Sequence, residues 1–174
     1  MPSVTLCIPA RIASTRLPRK VLLDLGGKPV VQHVWERAKQ VRQADRVVLL
    51  TDSEEVAGVA RGFGAEVLMT DPACPSGTAR MASVIERLPG DFFLNVQGDE
   101  PFIEPKLVEK LADALRAEKE IQMSTAACAL DPADLANPNC VKVVTDLAGN
   151  ALYFSRAPIP CDRDGDANPS RLRH

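Results

Sequence analysis

Nothing in this 174-residue sequence points to a membrane span, a metal cage or a disulfide framework. No apolar run is long enough to cross a bilayer, and no signal-peptide pattern follows Met1, so a cytoplasmic setting is expected. Only two histidines occur. The five cysteines (Cys7, Cys74, Cys128, Cys140, Cys161) are scattered, odd in number and never spaced C-x-x-C. That argues against structural zinc and against a disulfide scaffold. A strong net charge is also absent. At −2, no global field exists to hold nucleic acid or an anionic membrane. Neither G-x-x-x-x-G-K-[ST] nor G-x-G-x-x-G is present, which removes both standard phosphate-binding loops.

What is present suits one globular domain with a real core, at 45% hydrophobic and 25% charged residues. Short apolar runs at Val4 to Ile8, Val47 to Leu50, Val67 to Met69 and Phe92 to Val96 read as buried strands. Helical patterns lie between them. Val30, Val31, Val34, Trp35, Ala38 and Val41 form one stripe behind Pro29, which can sit at a first helical position. Ser53 caps a second helix with Glu54 and Glu55 in its first turn, and Gly62 and Gly64 end it. Ala79 to Leu88 is a third pattern. From Pro105, the stripe Leu107, Val108, Leu111, Ala112 and Leu115 marks the clearest helix, too short for a zipper and read as core. Met123 to Leu130, Val141 to Thr145 and Ala151 to Phe154 read as later strands, the last two paired across the turn "DLAGN". Residues 162–174 read as a polar tail or loop.

Strand and helix alternate four times, which predicts an α/β fold of three layers around a mostly parallel sheet. In such sheets ligands bind beyond the carboxyl ends of the strands. The chemically distinctive residues fall there. "ARIASTRLPRK" follows the first strand, "TDSEE" the second, "TDPACPSGTAR" the third and "NVQGDEPFI" the fourth. Four loops at one sheet edge are expected to gather Arg11, Lys20, Arg80, Gln97 and Asp99 around one crevice.

Each loop suggests a chemistry. Arg11 offers a fork for phosphate oxygens, Lys20 a compact charge, and Ser14 and Thr15 hydroxyl donors. Asp99, behind Gly98, is a candidate Mg²⁺ ligand, since Mg²⁺ takes oxygen donors and bridges substrate phosphates. Partner carboxylates are open among Asp52, Asp71, Asp162 and Asp164. Gln97 suits a sugar hydroxyl. Ser76 and Thr78 can cap the following helix, Gly77 permits close backbone approach to a ligand such as a nucleobase, and Arg80 is placed to meet a carboxylate. His33, on the polar side of the first helix, reads as a surface residue, and Cys74 as structural or incidental. Together these residues suggest nucleotidyl transfer: a hydroxyl attacks the α-phosphorus of a nucleoside triphosphate and pyrophosphate leaves, with Arg11, Lys20 and Asp99 as the catalytic set.

The stretches "IPARIASTRLPRK", "GGKPVVQHVWERA", "TDSEEVA", "PSGTAR", "LNVQGDEPFI" and "NPNCVKVVTDLAGNALYFSRAPIPCDRD" occur in order from Val4 to about Asp164. They resemble the 3-deoxy-manno-octulosonate (Kdo) cytidylyltransferases. That resemblance implies a nucleotide-diphospho-sugar transferase-like fold. It also implies conversion of CTP and Kdo to CMP-Kdo and pyrophosphate, with Mg²⁺, for lipopolysaccharide synthesis. By the resemblance, Ala10, Arg11, Ser14, Lys20 and the Ser76–Gly77–Thr78 loop serve the nucleotide, and Asp99 the metal. Arg80, Gln97, Arg156 and His174 serve the sugar acid. The partners it implies are these small molecules and a second copy of the chain, with neither nucleic acid nor membrane.

Three departures stand out. Arg19 occupies a family glycine position, so the loop is expected to lose a left-handed turn or gain a phosphate contact. Pro75 and Ala79 replace a glutamine and a glutamate, which leaves base and sugar contacts there open. The sequence ends at "RLRH", where the family continues for roughly another third, with a second metal ligand and most of the dimer interface. An inactive nucleotide-binding domain, or a synthetase for another CMP-sugar acid, are therefore the alternatives.

Overall fold

The computed structural model describes residues 2–13, 17–117, 120–161 and 172–174. The chain, read above as a single domain, divides into two compact units, Met1–Gln122 and Met123–His174.

The first unit contains β1 (Val4–Pro9), β2 (Asp24–Leu25), β3 (Lys28–Pro29), α1 (Val30–Ala38), β4 (Arg46–Thr51), α2 (Glu54–Gly62), β5 (Glu66–Met69), α3 (Gly77–Ala82), β6 (Phe92–Asn95) and α4 (Pro105–Ala117). Four of the strands form a parallel sheet in the order β5-β4-β1-β6. Side chains alternate across it, as a period of two requires. Val4, Leu6 and Ile8 of β1 and Val47 and Leu49 of β4 face one core with Val31 and Val34 of α1, Val56 and Ala60 of α2, and Val108 and Ala112 of α4. Cys7, Val48 and Leu50 face the other way, against Met81, Val84 and Leu88. Both faces are covered, so the central strands read as unbroken apolar runs. The expected three-layer α/β architecture is present.

The strand order reverses direction between β1 and β6. The chain steps outward from β1 to β4 to β5, then returns to place β6 on the far side of β1. Such a switch point opens a crevice between the two loops that leave it.

One helical pattern is clearly shorter than expected. The helix predicted over Ala79 to Leu88 breaks after Ala82. Ser83 Oγ donates to Arg80 O at 2.8 Å, a side chain competing for a helical carbonyl, and a 3₁₀ turn at Ile85–Arg87 follows.

In the second unit, β7 (Cys128–Ala129), β8 (Lys142–Thr145), β9 (Ala151–Ser155) and β10 (Leu172–Arg173) form an antiparallel sheet in the order β7-β10-β8-β9. The strand predicted from Met123 to Leu130 shrinks to Cys128–Ala129, because its partner β10 offers two residues. The tail predicted from residue 162 ends in β10, and residues 162–171 lie outside the described residues. Among the described residues, no helix is long and apolar enough to cross a membrane.

Candidate active site

A cavity of about 510 Å³ opens beyond the carboxyl ends of the parallel strands, lined by Arg11, Lys20, Ser76, Gly77, Arg80, Gln97 and Asp99 with apolar Pro9, Leu17, Val21 and Pro75. The loops after β1, β5 and β6 all contribute, as the switch point requires.

Backbone closeness makes the floor. Val96 N donates to Cys7 O at 2.9 Å and Gly98 N to Pro9 O at 3.3 Å, so β6 continues alongside β1 beyond its last paired residue. A Cβ on Gly98 would stand 2.7 Å from Pro9 O, so only glycine fits there. On Gly77 it would meet Pro9 Cγ at 3.0 Å. The two glycines bring the loops carrying Ser76 and Asp99 down onto the end of β1.

The first loop is closed by Arg19 N donating to Ile12 O at 3.3 Å. Arg19 is the one described non-glycine residue with positive φ, at 58°. The left-handed turn is therefore kept, at the strain an L residue carries there. The Arg19 guanidinium pairs with Glu55 in the first turn of α2. Behind Arg19, Lys20 begins a 3₁₀ turn, and its Nζ donates to Asp99 Oδ2 at 2.8 Å with both side chains 41% exposed. Arg11 is exposed, and among the described residues it has no ion-pair partner.

Arg80 differs from the surface residue that a capped helix would carry. Its side chain is 2% exposed and salt-bridged to Asp52, Nη2 to Oδ2 at 2.7 Å. Nη1 also donates to Thr70 Oγ1. Ser76 caps α3, its Oγ accepting from Ala79 N at 3.0 Å. Gln97 Nε2 donates to Asn95 Oδ1 at 3.2 Å, and Asn95 Nδ2 to Thr78 Oγ1 at 3.4 Å.

The remaining sequence candidates lie elsewhere. Ala10 is buried under the floor, its N–H donating to Leu50 O. Thr78 is bonded to Asn95 and is not part of the lining. Ser14 lies outside the described residues. Arg156 and His174 belong to the second unit. There Arg156 Nη1 donates to Pro138 O at 2.7 Å, and His174 Nε2 lies 2.6 Å from Thr125 Oγ1. His33 Nε2 meets Leu25 O at 2.7 Å, a structural contact. Sequence reasoning missed that Asp52 and Thr70 hold Arg80 and that Asn95 holds Gln97. The available signal was their place just after, or at the end of, β4, β5 and β6.

A crevice at a parallel-sheet switch point, with a basic loop facing a carboxylate, is where proteins of the open α/β class take their ligands. Residues 5–174 match the cytidylyltransferase family, and the chain belongs to it. It is 52% identical over 168 residues to the 3-deoxy-manno-octulosonate cytidylyltransferase of Pasteurella multocida (strain Pm70), covering 94% of this chain and 64% of that protein. With the protein of the same name from Histophilus somni (strain 2336) it shares 51% identity, covering 97% of this chain and 69% of that one. Among solved structures, it is similar to CMP:2-keto-3-deoxy-manno-octonic acid synthetase complexed with CTP. There the TM-score is 0.93 at 41% identity, covering 99% of this chain and 71% of that chain. The chain thus spans 64% to 69% of the length of these two curated relatives.

Proposed function

We propose that this chain activates Kdo with CTP, giving CMP-Kdo and pyrophosphate for lipopolysaccharide synthesis in the cytoplasm. The observation that carries this reading is the convergence of Arg11, Lys20 and Asp99 on one cavity, in a chain similar throughout its length to a synthetase solved with CTP.

In this reading the anomeric hydroxyl oxygen of Kdo bonds to the α-phosphorus of CTP. The bond from that phosphorus to the bridging oxygen breaks, and pyrophosphate leaves. The protein's part is alignment and charge neutralisation. Arg11 and Lys20 face the triphosphate. Ser76 and Gly77 give the base a wall of small groups, Thr78 supporting them through Asn95. Gln97 and Arg80 meet the sugar acid. Ala10 and Ser14 belong to the nucleotide loop, and Arg156 and His174 to sugar binding.

Asp99 fits Mg²⁺. It is a half-exposed carboxylate on the cavity wall. Among the described residues, no cluster of three or more His, Cys, Asp or Glu side chains could cage an ion. A site of one carboxylate completed by substrate phosphates is the usual Mg²⁺ arrangement. When bound there, Mg²⁺ supplies neutralisation of phosphate charge.

A second reading is CTP binding without turnover, since Arg11, Lys20, Ser76 and Gly77, assigned to the nucleotide, already share one cavity of the first unit. Pyrophosphate release with CTP, Mg²⁺ and Kdo separates the two. Release that vanishes in Asp99→Ala supports the synthetase. CTP binding without release supports the second reading, and absence of both sinks the nucleotide assignment. Substituting a sialic acid for Kdo tests the choice of acid.

A further inference from the structure

Arg80 combines two properties that rarely coincide: it is 2% exposed, and it lines the cavity. Long cationic side chains are seldom buried unless paired. Here the guanidinium is clamped from the carboxyl ends of two strands. Asp52, just past β4, accepts from Nη2 at 2.7 Å. Thr70 and Asp71, just past β5, accept from Nη1, the carbonyl of Asp71 at 3.5 Å. Thr70 N donates to Thr51 O at 2.9 Å, which ties the two strand ends together. The guanidinium cannot turn without displacing one of them.

Asp52 is a poor choice for stability alone. Its Oδ1 is buried and has no hydrogen-bond partner among the described residues. An orphaned buried carboxylate oxygen is costly, and a buried ion pair is commonly no better than an apolar pair of the same volume. The arrangement does gain orientation. A guanidinium is a planar fork whose recognition depends on its plane, unlike the point charge of a lysine. Arg11, exposed and without an ion-pair partner among the described residues, supplies charge to the cavity, whereas Arg80, neutralised by Asp52, supplies a fixed geometry.

We propose that Asp52 is a positioning residue that locks the Arg80 guanidinium in the cavity wall, so that a ligand meets an arginine already oriented. The ligand side of this proposal rests on the function proposed above.

The test uses the full chain carrying Asp52→Asn, with Thr70→Val as the second variant should Asp52→Asn not fold. In ¹⁵N-edited NMR, the wild-type chain should show resolved, slowly exchanging Arg80 Nη protons, and the variant should lose them. Calorimetry on the same samples reads CTP and Kdo affinity. At least one should fall by roughly tenfold, the loss expected when one hydrogen bond to a charged group is weakened. Signals that persist in the variant, or signals lost while both affinities stay unchanged, overturn the proposal. A wild-type chain that binds neither ligand sinks the functional reading instead, and the Arg80 signals alone then decide whether Asp52 holds the guanidinium.

Discussion

Lys20 Nζ lies 2.8 Å from Asp99 Oδ2, so the cation assigned to phosphate and the carboxylate assigned to metal hold each other across the cavity. The contact uses one ammonium proton and one carboxylate oxygen, so a ligand on either group competes with the pair. At 41% exposure on both sides the pair is weak, worth about 0.2–1 kcal/mol. Lys20→Ala should therefore act in opposite directions on two ligands. CTP affinity should fall far more than Kdo affinity. Affinity of the chain alone for Mn²⁺, used as a probe of Asp99, should rise by up to about fivefold as the carboxylate is freed. Titration calorimetry reads all three. Equal losses for CTP and Kdo, or weaker Mn²⁺ binding, would contradict the assignment.

Gly98 sets the height of Asp99 above the end of β1. An added Cβ would stand 2.7 Å from Pro9 O, a backbone atom of the central strand that cannot swing aside. Gly98→Ala should lower stability by about 1–3 kcal/mol, the usual range for overpacking. It should also weaken CTP binding, because Asp99 and Gln97 flank the glycine. Gly149→Ala is the contrast, since its φ of 88° brings strain but no close neighbour. Urea denaturation compares the two. A Gly98→Ala protein with wild-type stability and CTP affinity would show that the floor can relax.

The sheet was legible because its central strands are buried on both faces and so appear as unbroken apolar runs. The carboxyl-end rule then placed Arg11, Lys20, Arg80, Gln97 and Asp99 in neighbouring loops, and the structure puts all five on one cavity. What stayed hidden was depth. Nothing local marks Arg80 as buried, because its partner Asp52 lies 28 residues away on another strand end. The break after Ala82 turns on one serine hydroxyl reaching back to Arg80 O. Arg19 reads as an added charge in sequence. Its φ of 58° shows that the glycine-like backbone persists, with the side chain pointed at Glu55.

That backbone gives a graded prediction. Arg19→Gly relieves left-handed strain but frees the unfolded chain and deletes an exposed ion pair, terms of about 1 kcal/mol or less each. It should leave stability nearly unchanged. Arg19→Val places a β-branched residue at φ 58° and should be clearly destabilising. Equal unfolding midpoints for the two variants would refute the strain argument.

Cys7 sits fully buried in the second core, and burial pushes its thiol up to about 11. Its thiolate is the form the core rejects, so the unfolded chain loses this proton first as pH rises. The contribution to stability is fully present below the free-thiol range, about 8.5, and is lost between there and 11. Cys7→Ala should flatten the alkaline fall in stability over that window. Native thiol labelling should modify exposed Cys128 and Cys161 readily and leave Cys7 untouched until unfolding. Cys7 labelling as fast as Cys128 in the folded chain would contradict its burial.

Lys142 is 0% exposed, yet among the described residues no carboxylate pairs with it. Its ammonium is satisfied by backbone alone. Nζ donates to Asn137 O at 2.9 Å, Cys140 O at 2.8 Å and Arg156 O at 2.8 Å, which uses all three of its protons. The side chain thereby joins the 137–140 turn to the end of β9 inside the second unit. Lys142→Met keeps the length and apolar stem but leaves three carbonyls unanswered, each a loss of about 1–3 kcal/mol before relaxation. Lys142→Arg keeps the charge but presents a planar fork where three donors must diverge. Both should destabilise the second unit, Lys142→Met by about 3 kcal/mol or more. Hydrogen exchange should localise the loss to residues 137–156. Wild-type protection there in Lys142→Met would show that water replaces the ammonium at little cost and that the second unit does not depend on it.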